Sequence, residues 1–133
     1  MKTAAPSIEE ELFSLETGTL DPADFPHREH VRFAFEMLAR HSFGEAVTRF
    51  SRGVRHLATK VEKPQLYHET ITVGFLAIIS ERRALMNGGS WADFAAKNPD
   101  LLNKNALLRW YSAEELQSEL ARKVFCLPRS TAR

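Results

Sequence analysis

Residues 65–89 decide the fold, and they read QLYHETITVGFLAIISERRALMNGG. In a helix over about 65–86, the apolar residues up to Ile79 would point in every direction. A helix that is apolar all round lies in the middle of a protein. The next residues, 87–89, are Asn-Gly-Gly, which readily adopt the left-handed backbone that ends a helix. The segment therefore predicts a buried central helix over about 65–86.

Amphipathic segments on both sides of this helix predict further helices packed around it. The segment from His27 to about Arg40 has helical periodicity, and Asp24 is expected to cap it. Ser42, Ser90 and Ser112 each precede an acidic residue by three positions, which is the capping-box spacing at the start of a helix. We therefore expect an all-α, small single-domain bundle over residues 1–133, with frayed ends at 1–6 and 129–133.

The composition limits the classes of protein to consider. The chain has 133 residues, is 44% hydrophobic and 26% charged, and carries a net charge of +1. This balance is typical of one globular domain and gives no field that would attract nucleic acid or membrane. The single cysteine, Cys126, excludes an internal disulfide and is interpreted as a structural thiol. With no apolar leader or membrane-length run, we expect a cytoplasmic protein; its oligomeric state is left open.

Three of the five histidines, His27, His30 and His68, lie where the pattern predicts burial. His27 and His30 are three residues apart on a predicted helix, so their imidazoles can reach one point beside it. If His68 packs against them, three imidazoles converge and leave one position open on a tetrahedral ion. The histidines therefore predict a divalent metal site, for which we consider zinc, iron, manganese and nickel.

Polar neighbours of His68 extend this predicted site. Glu69 is expected to be a fourth ligand or a catalytic general base, and Tyr67 and Thr72 to bind a small-molecule ligand. The carboxylate ligand is the weakest part of this predicted site. His68 and Glu69 are adjacent in the chain, and adjacent residues of a helix point about 100° apart. The H-E-x-x-H motif of zinc proteases is not completed, since Thr72 occupies the position of the second histidine.

A structural role for the histidines is the alternative interpretation. His27 could lie at an exposed helix start, His30 could bond to a loop carbonyl, and His68 could be satisfied by Tyr67 or by a backbone group. The leading expectation is a metal-binding or small-molecule-processing protein with a buried histidine site, and the question of enzymatic activity is open. The alternatives are a non-catalytic ligand-binding or partner-binding module with structural histidines, and a structural subunit of a larger complex.

Two segments carry a resemblance that covers most of the chain, from about Leu20 to Pro128. Phe25-Pro26-His27-Arg28-Glu29-His30-Val31 has the form F-x-H-x-x-H-V, and residues 67–72, YHETIT, have the form Y-H-E-T-[IL]-T. Together with Tyr111-Ser112 and residues 124–128, VFCLP, they resemble a group of short, functionally uncharacterised bacterial proteins. The resemblance implies no reaction, but it favours treating the two histidine segments as parts of one site.

Overall fold

A computed structural model describes residues 4–129 of the chain and contains no strand in that range. It is 72% helical. The α-helices are α1 (Ile8–Thr17), α2 (His27–Arg40), α3 (Phe43–Lys60), α4 (Glu69–Met86), α5 (Trp91–Lys97), α6 (Ala113–Gln117) and α7 (Glu119–Lys123). Short 3-10 turns lie at Pro22–Asp24, Pro64–Leu66, Pro99–Leu102 and Ala106–Arg109. The predicted all-α, single-domain fold is confirmed.

Residues 1–3 and 130–133, which include most of the ends predicted to fray, lie outside the described residues. Residues 4–6 and 125–129 have no regular secondary structure. None of the described helices combines the length and the apolar character that crossing a membrane would require.

Serine residues start most of the helices, as their spacing predicts. At a complete capping box, the serine hydroxyl accepts the N–H of the residue three positions later, and that residue's carboxylate accepts the serine N–H. Three such boxes form: Ser7 with Glu10, Ser90 with Asp93, and Ser112 with Glu115. Ser42 also accepts the Glu45 N–H, at 3.2 Å, but the Glu45 carboxylate pairs with Arg49.

Two predicted helix starts are wrong, and both lie in the histidine segments. Asp24 does not cap α2, because it belongs to the preceding 3-10 turn, and α2 begins at His27 without a side-chain cap. The α4 helix begins at Glu69 rather than near residue 65, because Pro64–Leu66 form a separate turn. His68 consequently lies at the N-cap of α4 and not inside the helix.

The helices α2, α3 and α4 pack on one another and enclose the main core. The α1 helix packs on α3, α5 lies beside α2, and α7 lies against α4. Leu76 and Ile79 of α4 are completely buried, as is Met37 of α2. The two histidine segments therefore begin two neighbouring core helices.

The α4 helix is central, but the predicted burial does not extend over its whole length. Five of its eighteen residues are buried, against six of fourteen in α2. The smaller buried share of α4 arises at its C-terminal end, which extends past the core and leaves Leu85 80% exposed. The all-round apolar pattern marks only the first two-thirds of the helix.

A buried threonine joins the C-terminal segment to α4. Thr70 is completely buried, and its hydroxyl donates to the Val124 carbonyl at 2.8 Å while accepting the Cys126 N–H at 3.0 Å. The Tyr111 hydroxyl donates to the Cys126 carbonyl at 2.6 Å. Because each polar atom is paired, burying Thr70 carries no desolvation penalty from an unmade hydrogen bond.

Gly53 allows α1 to lie directly on α3. A Cβ atom at this position would be 2.9 Å from the Leu15 carbonyl oxygen and would also clash with the Leu15 side chain. Leu15 is completely buried, so it cannot move aside without displacing its neighbours.

We expect Gly53→Ala to lower the free energy of unfolding by about 1–3 kcal/mol, the range for overpacked cores. Urea denaturation measures this change. Gly44→Ala is the matched control, since nothing lies within 4 Å of a Cβ at Gly44 and alanine favours a helix. Equal stability of the two variants would contradict the close contact between α1 and α3.

Candidate functional site

A cavity of about 380 Å³ lies among α2, α3 and α4 and is partly open to solvent. Its volume is within the usual range for small-molecule sites. Its walls are mainly aliphatic and aromatic. The lining residues that this argument uses most are His27, His30, Ala34, His68, Thr72 and Lys104.

The structure brings four of the predicted site residues to this cavity. His27 and His30 come from the first turn of α2, His68 from the N-cap of α4, and Thr72 from the first turns of α4. They meet because α2 and α4 pack side by side. The two histidine segments therefore meet at one cavity, and each histidine has a different role there.

His68 is held by hydrogen bonds at both ring nitrogens. Its Nδ1 accepts the N–H of Ile71 at 3.1 Å, which caps α4, and its Nε2 lies 2.6 Å from the Leu116 carbonyl oxygen. Since a carbonyl can only accept, Nε2 carries the hydrogen and donates it. The ring is 8% exposed and in one tautomer. It satisfies backbone groups, as the structural alternative predicted.

His27 lies at the edge of the cavity with one nitrogen committed. Its Nε2 donates to the Leu101 carbonyl at 3.0 Å, and its ring packs edge-on against Phe75 with centroids 5.0 Å apart. Within residues 4–129 its Nδ1 has no hydrogen-bond partner. In this tautomer Nδ1 is an unprotonated acceptor.

His30 lies deeper, between two phenylalanine rings. It stacks on Phe25 at a centroid distance of 4.1 Å and lies 6.4 Å from Phe50 and 6.3 Å from His27. Burial is the main cause that lowers the pKa of His30 to about 4. The positive charge of His27 lowers this pKa further, and a hydrogen bond with the Phe25 backbone raises it by a smaller amount. His30 is therefore a neutral imidazole at neutral pH.

These three histidines do not fit a shared metal ion in this arrangement. Ligation by His68 would break either the cap of α4 or the bond to Leu116, because each ligand nitrogen needs a free lone pair. Among residues 4–129, no group of three His, Cys, Asp or Glu side chains is arranged to hold a metal ion.

Glu69 and Tyr67 lie outside the cavity, contrary to the prediction of one shared site. The Tyr67 hydroxyl donates to Glu69 Oε1 at 2.6 Å, and Arg55 lies 3.4 Å from the same oxygen and 4.3 Å above the Tyr67 ring. Burial, followed by this bond to Glu69, raises the pKa of Tyr67 to about 12. The prediction fails because α4 starts later than expected. Glu69 is the first residue after the N-cap His68, and its side chain points away from the cavity.

Glu69 instead lines a surface cleft with Arg52, Arg55 and His56. That cleft is larger, at about 530 Å³, but it is more open to solvent and about half polar. The histidine cavity is the better candidate for a ligand site, because it is more enclosed and mainly apolar.

Sequence reasoning missed Lys104 and Asn105, which line the cavity and are also exposed to solvent, so they mark its mouth. They lie in a link between two 3-10 turns, about 75 residues beyond His27 in the chain. No periodic pattern marks a loop residue of this kind, since it reaches the cavity only through tertiary packing.

Comparison with family models, curated proteins and solved structures finds no match to this chain.

The pKa of His30 predicts how stability depends on pH. In the unfolded chain the ring titrates near 6.5, and in the folded protein near 4. Between these values the unfolded state binds more protons, so stability falls as pH falls. We expect His30 to contribute a loss of about 2 kcal/mol in the free energy of unfolding from about pH 7 to about pH 5.

Urea denaturation of wild type and His30→Leu at the two pH values measures this contribution. The variant should lose that part of the pH dependence, whatever its stability at neutral pH. His56→Gln is the control, because His56 is exposed on α3. An unchanged pH dependence in His30→Leu would contradict the burial of a neutral His30.

Proposed function

We propose that this protein binds a small, mainly apolar organic molecule in the cavity between α2, α3 and α4. The observation that carries the proposal is the cavity itself, which has mainly apolar walls and a few polar side chains among its lining residues. Sites for small molecules have this composition: apolar surface supplies affinity, and a few polar groups set the orientation.

The walls support an apolar ligand because they are built from core side chains. Phe50, Phe75 and Ile71 line the cavity beside Leu76, which is otherwise completely buried. A molecule that displaces water from such walls gains roughly 25 cal/mol for each Å² of apolar surface buried.

The polar groups within reach of a bound molecule differ in their readiness to form bonds. His68 is fully used by the protein, whereas His27 Nδ1 remains an acceptor, and His30 is a neutral imidazole. Thr72 adds a hydroxyl at the same cavity. The lining contains no carboxylate, and its titratable side chains are His27, His30, His68 and Lys104.

A divalent metal ion, predicted from the same histidines, is the less favoured ligand because of the two hydrogen bonds of His68. We expect zinc, iron(II), manganese or nickel, each added to chelator-treated protein, to leave the melting temperature unchanged. A rise that is lost in His68→Asn would support the metal site instead, since asparagine can still cap α4.

The test of the cavity uses N-phenyl-1-naphthylamine, an uncharged dye whose fluorescence increases in apolar surroundings. Ala34 lines the cavity and is 2% exposed, so Ala34→Leu puts extra atoms into the ligand space. We expect wild type to bind the dye, and Ala34→Leu to bind it at least about tenfold more weakly, since lost cavity volume cannot be recovered in a packed core.

Ala77→Leu is the matched control, because Ala77 is half-buried on α4 but does not line the cavity. It should bind the dye as wild type does. The proposal is wrong if wild type fails to bind, or if Ala34→Leu binds as tightly as Ala77→Leu while both remain folded by circular dichroism.

A further inference from the structure

We propose that the ligand of this cavity is an apolar monocarboxylate whose negative charge is held at the mouth by Lys104. This inference rests on the proposed function, since it specifies the chemical class of the molecule bound there. The hydrocarbon or aromatic part would lie among α2, α3 and α4, and the carboxylate would lie beside Lys104 and Asn105.

The charges around the cavity favour an anion. Apart from any charge on His27, Lys104 is the lining side chain that is positively charged at neutral pH. The lining contains no aspartate or glutamate. In the part of the chain that the structure describes, Lys104 takes part in no ion pair. A lysine with no internal partner beside an apolar space is a suitable receptor for a carboxylate at the end of an apolar molecule.

The nearest acidic residue in the sequence does not compete for Lys104. Asp100 accepts two hydrogen bonds from Arg82, at 2.8 and 3.0 Å, and also lies 3.6 Å from Arg109. The hydrogen bonds from Arg82 are the main cause that lowers the pKa of Asp100. This carboxylate is therefore ionised and already paired, which leaves Lys104 for an external anion.

Hydrogen bonds fix the backbone that carries Lys104. The Asn103 side chain accepts the Asn105 N–H at 2.8 Å, and the Asn103 carbonyl accepts the Ala106 N–H at 3.0 Å. On the other side of Lys104, the bond from His27 to Leu101 ties the preceding turn to the start of α2. The lysine is therefore attached to a braced turn at the cavity mouth, although its side chain is exposed.

The number of donors favours one negative charge over two. Phosphate groups are recognised by several donors, commonly including the planar fork of arginine. The lining contains no arginine, and its donors besides the histidines are the Lys104 ammonium, the Asn105 amide and the Thr72 hydroxyl, which also bonds to Tyr67. A single carboxylate is the anion that such a set can neutralise.

The test compares octanoate with octanamide, which has the same chain and an uncharged head group. Binding to the full chain is measured by titration calorimetry, and chemical shifts of backbone amides locate it. We expect wild type to bind octanoate about two- to fivefold more tightly than octanamide, the effect of one solvent-exposed ion pair. The amide shifts should centre on the cavity residues of α2 and α4.

Variants of Lys104 separate its charge from its shape. Lys104→Gln should remove the preference for octanoate over octanamide, whereas Lys104→Arg should keep it. Lys97→Gln is the matched control, because Lys97 is exposed, outside the cavity, and its loss changes the net charge equally.

The outcomes distinguish this inference from the proposed function. If wild type binds both compounds equally, or if Lys104→Gln keeps the preference, the role of Lys104 is wrong while the cavity remains a binding site. If neither compound binds but the uncharged dye does, the monocarboxylate is wrong. If Ala34→Leu also fails to weaken the dye, the proposed function fails with it.

Discussion

The arrangement of the site depends on the two hydrogen bonds of His68. One bond satisfies the Ile71 N–H and thereby starts α4 at a defined residue. The other donates to Leu116 and holds the C-terminal helices against the same point. An imidazole can do both only as the neutral tautomer with its hydrogen on Nε2. The same ring thus sets the direction of α4 and forms part of the cavity wall.

The cavity is a consequence of how large side chains meet around this point. The His30 ring lies between Phe25 and Phe50, and the His27 ring lies against Phe75. Polar rings at these positions must keep their bonds to backbone groups, which limits how far the helices can close. Small side chains such as Ala34 then leave room between α2 and α4.

Local sequence signals predicted the helices and the meeting of the histidine segments, but they did not predict what each histidine does. Capping serines act within three residues, so Ser90 and Ser112 could be identified from spacing alone. The partner of His68 is 48 residues away, and its role as a cap shifts the start of α4. This shift places Glu69 with Arg55 outside the cavity. Lys104 belongs to a loop that no periodic pattern marks, and tertiary packing brings this loop to the cavity.

The bonds of Thr70 have a consequence for synthesis on the ribosome. Its partners, Val124 and Cys126, are 54 and 56 residues further along the chain. The helices α1, α2 and α3 can pair as soon as they have emerged, because their contacts are close in sequence. The Thr70 hydroxyl cannot form these two bonds before residue 126 has been synthesised. The cavity wall that α4 provides is therefore completed late, and nascent chains stalled before that residue would expose it to chaperones and proteases.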